Sequence, residues 1–414
     1  MPYYREVQRV GQDLPSTREP LPESPKKPAR AIAHGALLAF LVLLSRLFFE
    51  EIGTLAYIYL PHAWVDAPQG EIPPHGGLWF QSLFGIWAHW DGYWYLSIAQ
   101  FGYQGRTASS AFFPLYPWLM HLLGSSIWAG LGISLVAFTV SVVVLYLWVS
   151  DQWGPAVAWL AVLVYAFFPT GFYLNAVYTE ALYTALAFST LYAAQKRRYW
   201  WAFVLAALAT LTSIYGILLS LSLFVLVWKQ ERRFWRAVGF SIGSALGLLV
   251  YMAFLTWRFH DPLMFQSVQS DWGRHFAWPW VTLVTAFHAA WANRQVVWNY
   301  PYLFSPGPAQ GPVINFYNLI FMVGSLIVLV LYGWRLPLYL WAYLAPALAV
   351  TLFFPAYNQP LMSFPRLIFE NFPILLVLAI ALARRPWWRF AYWSVCLYLG
   401  ALLTALFATA HWVA

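Results

Sequence analysis

Six polar side chains of this sequence are of the types that move protons or bind phosphate groups: His89, Asp91, Glu180, Arg274, His275 and Arg366. An acid with a histidine two residues away can accept a proton from a hydroxyl group. An arginine at a membrane surface can hold a lipid phosphate through paired hydrogen bonds. Together these residue types suit the transfer of a group from a lipid phosphate to an alcohol.

The stretch Trp87–Tyr103 (WAHWDGYWYLSIAQFGY) surrounds one acid, Asp91, with seven aromatic residues and has no Lys or Arg. Aromatic residues at this density are typical of a membrane–water interface, where an apolar ring and a polar edge are both satisfied. An acid held there is partly desolvated, so keeping it ionised costs free energy unless it has a charged partner or a function. The alternative is an interfacial helix on which Asp91 is simply solvated.

The composition indicates an integral membrane protein. Hydrophobic residues make up 61% of the 414 and charged residues 9%, whereas soluble domains have about 45–50% and about 25%. The net charge of +8 comes from short basic clusters between apolar runs. Membrane orientation explains these clusters better than nucleic-acid binding does. The single cysteine, Cys396, excludes an intrachain disulfide and a cysteine-based zinc site.

Apolar runs predict an all-α, polytopic transmembrane bundle of about eleven crossings, some of them short. The predicted crossings are 34–59, 127–150, 156–168, 172–194, 200–211, 215–228, 237–257, 312–332, 337–354, 365–383 and 390–412. Residues 1–33 are predicted to be a disordered cytoplasmic tail, and residues 34–414 a single domain. Two large external loops, 61–110 and 258–311, contain interfacial helices. Basic clusters between the runs place the N-terminus in the cytoplasm.

Three charged residues within apolar runs have structural alternatives to a functional role. Arg46 and Glu50 lie four positions apart on one helical face, so they pair locally or else Arg46 faces a polar cavity. Glu180 lies ~12 Å below the outer end of its predicted helix, and Arg46 is the predicted partner of its carboxylate. Arg366 has a local alternative partner in Glu370.

Several familiar sites are missing from the sequence. It has no Gly-rich phosphate loop, no HExxH motif and no Asp-x-Asp pair of the kind that holds a nucleotide-sugar through a divalent metal. A reaction with a soluble nucleotide donor is therefore not expected. No cofactor is predicted, and a divalent metal is not implied.

The run from His89 to Tyr103 resembles the signature of the GPI mannosyltransferase II, or PIG-V-type, family: WD, an aromatic residue, then IA and GY. Further blocks follow in the family's order: FFPLYP from Phe112, FPTGFYLNAVYTEALY from Phe168, DPLMFQSVQSDWGRHFAWPW from Asp261 and SFPRLIFENFP from Ser363. The resemblance covers most of the chain from residue 34 onward. It implies a GT-C-like membrane glycosyltransferase, and we expect a bacterial member of the plasma membrane.

The resemblance implies an inverting transfer of mannose from a polyprenyl-phosphate mannose to an acceptor hydroxyl on the extracytoplasmic face. Asp91 matches the general base, Glu180 an acid that shapes the site, and Arg366 a residue that holds the donor phosphate. The full set of candidate substrate-binding residues is Arg46, His89, Trp90, Tyr95, Trp272, Arg274, His275 and Arg366. The implied partners are the polyprenyl-phosphate sugar, a glycan or glycolipid acceptor and the lipid bilayer, with no nucleic acid.

One departure from the family pattern concerns donor contact. Many bacterial relatives carry an Arg where this chain has Ser213, so one phosphate or sugar contact is absent from this position.

Two other classes of protein remain as alternatives. A transporter or flippase would need a continuous polar path to the cytoplasmic side, and a non-catalytic partner subunit would tolerate the loss of Asp91 and Glu180.

Overall fold

The computed structural model describes residues 27–64, 76–103, 107–308 and 311–413, which are mostly helical. The first nine helices are α1 (Lys27–Tyr59), α2 (Leu78–Leu83), α3 (Asp91–Phe101), α4 (Leu115–Leu122), α5 (Ile127–Trp153), α6 (Pro155–Ala166), α7 (Glu180–Gln195), α8 (Tyr199–Thr212) and α9 (Leu219–Glu231). The others are α10 (Phe234–Phe259), α11 (Met264–Ser267), α12 (Pro279–Ala292), α13 (Tyr300–Leu303), α14 (Asn315–Tyr332), α15 (Leu338–Phe353), α16 (Phe364–Leu367), α17 (Pro373–Arg384) and α18 (Trp388–Ala408).

Short 3-10 helices and one pair of strands join these elements. The 3-10 helices are Gly85–Ala88, Thr107–Ala111, Gly171–Leu174, Ile214–Leu218, Val268–Trp272, Arg294–Val297, Gly311–Ile314 and Gly333–Arg335. Strands β1 (Ala63–Trp64) and β2 (Gly307–Pro308) pair in parallel and connect the two predicted external loops.

The all-α membrane fold predicted from composition is confirmed. Within the described residues, five helical runs are long and apolar enough to cross a membrane: Ile127–Trp153, Ile214–Glu231, Phe234–Phe259, Gly311–Arg335 and Trp388–Ala408. Shorter apolar helices, α6, α8, α15 and α17, lie between them. With α1 and α7, these helices correspond to the eleven predicted crossings. The protein is therefore an integral membrane protein.

The first helix overlaps the end of the predicted N-terminal tail. Helix α1 begins at Lys27, so residues 27–33 are helical. Pro28 lies in the first turn, where its missing N–H leaves no hydrogen bond unmade. The rest of the predicted disordered tail, residues 1–26, lies outside the described residues.

Two predicted crossings begin later than the apolar runs suggested. Helix α7 begins at Glu180 and α17 at Pro373, because residues 167–179 and 361–372 form mostly buried turns, each with one short helical turn, in place of a continuous helix. Apolar runs do not distinguish such turns from helix, since both are buried in the protein. Thr170 of the first segment donates a hydrogen bond of 2.7 Å to the carbonyl of Pro365 in the second. The two irregular segments therefore pack together at one end of the bundle.

Helices α8 and α10 are held close by small residues. A Cβ atom on Gly243 would lie 2.4 Å from the carbonyl oxygen of Phe203, and one on Gly247 would lie 2.2 Å from that of Ala207. Both distances are shorter than any real contact, so the glycines permit an approach that larger residues forbid. This arrangement matches the small-residue spacing common between membrane helices.

Candidate functional site

Asp91 is the first residue of α3 and follows a tight turn. Trp90 has φ 59° and ψ −117°, a conformation suited to glycine at the second position of a type II′ turn. The N–H of Gly92 donates to the carbonyl of His89 at 3.2 Å and closes the turn. Such a conformation costs about 1–3 kcal/mol in a residue with a side chain. The surrounding structure must therefore hold the turn that carries Asp91.

Tyr178 joins this turn to the irregular segment before α7. Its hydroxyl donates to the carbonyl of His89 at 2.9 Å and accepts from the backbone N–H of Asp91 at 3.2 Å. The N–H of Val177 also donates to the carbonyl of Trp87 at 2.8 Å. Residues 87–91 and 177–178 therefore form one hydrogen-bonded unit.

Arg366 contacts two carboxylates. One guanidinium nitrogen hydrogen-bonds to Asp91, and Nε lies 3.3 Å from Oε1 of Glu180. The aromatic rings of Tyr173 and Tyr178 lie beside the guanidinium, with centroids at 5.8 Å and 5.6 Å from it. The structure therefore brings together three residues that the sequence proposed as site members. The predicted pairs of Glu180 with Arg46 and of Arg366 with Glu370 are both wrong.

The three charged side chains differ in their access to solvent. The side chain of Asp91 is 22% exposed, that of Arg366 is 16% exposed, and that of Glu180 is 3% exposed. Glu180 is the first residue of α7, where the backbone N–H groups of a helix favour a negative charge. Asp91 is therefore the acid that an outside molecule reaches, whereas Glu180 pairs with Arg366 in the protein interior.

Glu370 is a buried acid near this network that sequence reasoning considered only as a local partner. It lies in the turn between α16 and α17, and its Oε2 has no hydrogen-bond partner among the described residues. Burial raises the pKa of Glu370 to about 8, the charge of Glu180 also raises it, and that of Arg366 lowers it. Burial therefore favours the neutral form of the Glu370 carboxyl group.

Arg46 and Glu50 support the site from α1 without pairing with each other, so the predicted local ion pair is wrong. Arg46 donates a hydrogen bond of 3.2 Å to Oδ1 of Asn175. Glu50 accepts one of 2.9 Å from the indole nitrogen of Trp87. Arg46 therefore contacts the segment that leads to Glu180, while Glu50 holds the start of the segment that leads to Asp91.

His89 and Tyr95 point into the protein. The Nδ1 atom of His89 lies 3.0 Å from the carbonyl oxygen of Phe407, to which a neutral ring donates. Burial lowers the pKa of His89 to about 4, with a smaller opposing effect from this hydrogen bond. The hydroxyl of Tyr95 lies 3.4 Å from Oγ1 of Thr179. Both side chains, predicted as substrate-binding residues, are buried and bound within the protein.

The second predicted loop contributes Arg274, which is close enough to Asp91 and Arg366 for their charges to interact. Its guanidinium donates to the carbonyl of Phe354 at 3.2 Å. His275 stacks on Tyr357, with ring centroids 4.1 Å apart. Arg274 therefore interacts electrostatically with the network, while His275 packs on Tyr357 and holds the loop against residues 353–357.

The two tryptophans predicted to bind substrate each pack against other aromatic rings. Trp272 is half-buried, with its ring 6.0 Å from that of Phe112 and 6.4 Å from that of Trp94. Trp90 packs edge-on against Trp412 at 4.9 Å. No sequence signal points to Trp412, because residue 412 lies at the end of a predicted crossing that has no evident link to residue 90.

Ser213 lies in an extended break between α8 and the 3-10 helix Ile214–Leu218. Tyr215, two residues later, interacts electrostatically with Arg274.

In the described ranges, no three His, Cys, Asp or Glu side chains come together as a group able to hold a metal ion.

Residues 111–257 match the family model described as dolichyl-phosphate-mannose-protein mannosyltransferase. A comparison with curated proteins gave no match. The matched segment contains α4 to α9, nearly all of α10, and Glu180, whereas Asp91 and Arg366 lie outside it. The match supports a mannosyltransferase-like membrane glycosyltransferase of the GT-C type, with a lipid-linked sugar donor and an acceptor. It does not single out the PIG-V-type family that the sequence motifs resemble.

Proposed function

We propose that this protein transfers mannose from a polyprenyl-phosphate mannose to an acceptor hydroxyl on the extracytoplasmic face of a membrane, with inversion at the anomeric carbon. The observation that carries the proposal is the partly exposed carboxylate of Asp91, bound to Arg366 beside Arg274. In this proposal Asp91 is the general base for the acceptor, and Arg366 and Arg274 are the cations that bind the donor phosphate. The family match of residues 111–257 supports the reaction class.

Asp91 is the base in this proposal because it is the most exposed acid of the network. Its carboxylate takes the proton of the acceptor hydroxyl, and the acceptor oxygen forms a bond to the anomeric carbon of mannose. The bond from that carbon to the donor phosphate oxygen breaks, and polyprenyl phosphate leaves with the electron pair. Proton transfer within hydrogen-bonding distance is what a positioned carboxylate can provide.

Arg366 and Arg274 stabilise the leaving phosphate. When Asp91 accepts a proton, it loses its negative charge, so Arg366 is left with one charged partner, Glu180. The positive charge of Arg366 then becomes more available at the moment when the leaving phosphate gains negative charge. Preorganised cations of this kind supply a large part of catalysis in a water-poor site. The proposal assigns no step to a cofactor.

The test uses membranes that contain equal amounts of the wild type or of Asp91→Asn, supplied with radiolabelled polyprenyl-phosphate mannose. We expect the wild type to move label into a product and Asp91→Asn to lose about a hundredfold or more of the rate, which is the typical contribution of a general base. Asp151→Asn is the matched control, because Asp151 is exposed and pairs with Lys196 at 2.7 Å far from α3 in the sequence. Equal transfer by Asp91→Asn and the wild type would contradict the assignment of the base.

A transporter or flippase would give a different result in the same membranes. Label would cross the bilayer while remaining attached to polyprenyl phosphate, and Asp91→Asn would affect its distribution without changing its chemical form. Chromatography of the extracted lipids distinguishes the two outcomes.

A variant of the proposed phosphate site, Arg274→Gln, is expected to raise the KM for the donor because one cation is lost.

A further inference from the structure

Residues 407–413, which we call the C-terminal strap, connect several loops to the turn that carries Asp91. The carbonyl of Phe407 accepts from His89, and the carbonyl of Thr409 accepts from the N–H of Ala63 at 2.9 Å. His411 lies 3.3 Å from the carbonyl oxygen of Ser305, and Val413 is only 1% exposed. The strap is therefore hydrogen-bonded to and packed against the rest of the protein.

Trp412 is the member of the strap that contacts the strained residue. Its indole packs edge-on against Trp90, with ring centroids 4.9 Å apart. Its indole nitrogen donates a hydrogen bond of 2.8 Å to Oε1 of Gln359, which fixes the ring from the other side. Trp90 has a positive φ that costs free energy, so this turn needs outside contacts to persist.

We propose that Trp412 is a positioning residue for Asp91. By holding the indole of Trp90, it keeps the turn at 89–92 in the conformation that places the Asp91 carboxylate against Arg366. This inference rests on the proposed function for its effect on rate, but its structural part is independent of any substrate. Trp412 acts on Trp90 and not on the reacting atoms.

The first test measures transfer from radiolabelled polyprenyl-phosphate mannose by Trp412→Ala, Trp412→Phe and a control, Trp387→Ala. Trp387 is 69% exposed and lies between α17 and α18. We expect kcat of Trp412→Ala to fall about tenfold or more, because small displacements of a catalytic group are costly, while the KM for the donor changes little. Trp412→Phe retains a ring edge against Trp90 and should recover part of the loss.

A double substitution separates positioning from general damage. Glycine adopts the backbone conformation of residue 90 without strain, so a turn with Trp90→Gly does not need Trp412 to hold it. We expect Trp412→Ala to lower kcat much less in the Trp90→Gly background than in the wild type. Equal losses in both backgrounds would show that Trp412 acts in another way and would overturn the proposal.

Hydrogen exchange supplies a readout that needs no enzymatic activity. The amides of Gly92 and Tyr93 donate to the carbonyls of His89 and Trp90 at 3.2 Å and 3.0 Å. We expect these two amides to exchange faster in purified Trp412→Ala, while amides in the middle of α5 keep their wild-type protection. Unchanged exchange at residues 92 and 93 refutes the inference even if the proposed function holds. Faster exchange in Trp412→Ala, combined with an absence of transfer by the wild type, refutes the proposed function alone.

Discussion

The guanidinium of Arg366 contacts the carboxylate of Asp91 across 275 positions of sequence and also lies 3.3 Å from a carboxylate oxygen of Glu180. The two acids approach from different segments: one begins α3 and the other begins α7. A single cation thus holds together two helix starts that would repel each other without it. This relationship leads to the first of four predictions.

Replacement of Arg366 by Met should destabilise the protein strongly. The variant leaves Asp91 and Glu180 close together with their common cation removed, and breaking a buried ion pair in this way costs about 3–5 kcal/mol. The measurement is thermal unfolding of the detergent-purified protein. Arg366→Lys keeps the charge and should unfold nearer to the wild type, and adding Glu180→Gln to Arg366→Met should restore part of the lost stability. Equal unfolding temperatures for Arg366→Met and the wild type would contradict the network.

Substitutions at Trp90 should reverse the usual order of alanine and glycine. Both remove the indole, but only glycine relieves the strain of φ 59° and ψ −117°. We therefore expect Trp90→Gly to be more stable than Trp90→Ala by about 1–3 kcal/mol, whereas within regular helices glycine is less stable by about 0.5–1 kcal/mol. Thermal unfolding of the two variants, measured side by side, shows which of them is more stable. A more stable alanine variant would show that the turn is unstrained.

Because the ring of His89 is buried in its neutral form, we expect the folded protein to lose stability in mild acid. Its pKa is about 4 in the folded protein, against an ordinary 6.5, so the unfolded chain binds a proton more readily between these pH values. The contribution of His89 is fully present above pH 6.5 and is lost as the pH falls towards 4, by about 3 kcal/mol in total. The measurement compares unfolding temperatures of the wild type and His89→Asn from pH 7 to pH 4. The difference between them should shrink on acidification, and a constant difference would contradict a buried neutral ring.

Close packing of α8 and α10 makes Gly247 sensitive to the smallest enlargement. A Cβ at this position would lie 2.2 Å from the carbonyl oxygen of Ala207, so Gly247→Ala must push the helices apart at a cost of about 1–3 kcal/mol. Gly239→Ala is the matched control on the same helix, because a Cβ there meets nothing within 4 Å. Unfolding temperatures should fall for Gly247→Ala and stay equal or rise for Gly239→Ala.

Hydropathy could predict the helical bundle because of a simple rule: a helix that crosses the lipid must be long and apolar. Helices α5 and α10 follow their apolar runs closely. The rule failed where α7 and α17 begin, since buried irregular turns are as apolar as helices and their backbone groups find partners within the protein. Ser134, for example, donates a hydrogen bond of 2.7 Å to the carbonyl of Ala176.

The sequence named the charged members of the network but could not pair them. Arg46 and Glu370 were the nearest candidates by helix or by spacing, whereas the actual partners come from distant segments. Choosing among distant charges requires the three-dimensional packing of α3, α7 and α16. The same limit applies to Trp412, whose contact with Trp90 depends on where the end of α18 returns in the fold.

The wide spacing of the network in the sequence has a consequence for biosynthesis. The ribosome makes Asp91 and Glu180 first and Arg366 275 positions after Asp91. At about 5–20 residues per second, the nascent chain carries both acids for on the order of tens of seconds before their cation emerges. During that interval Glu180 must keep a proton or remain in contact with water at the tip of α7. The arrival of α16 then exchanges that water or proton for a guanidinium.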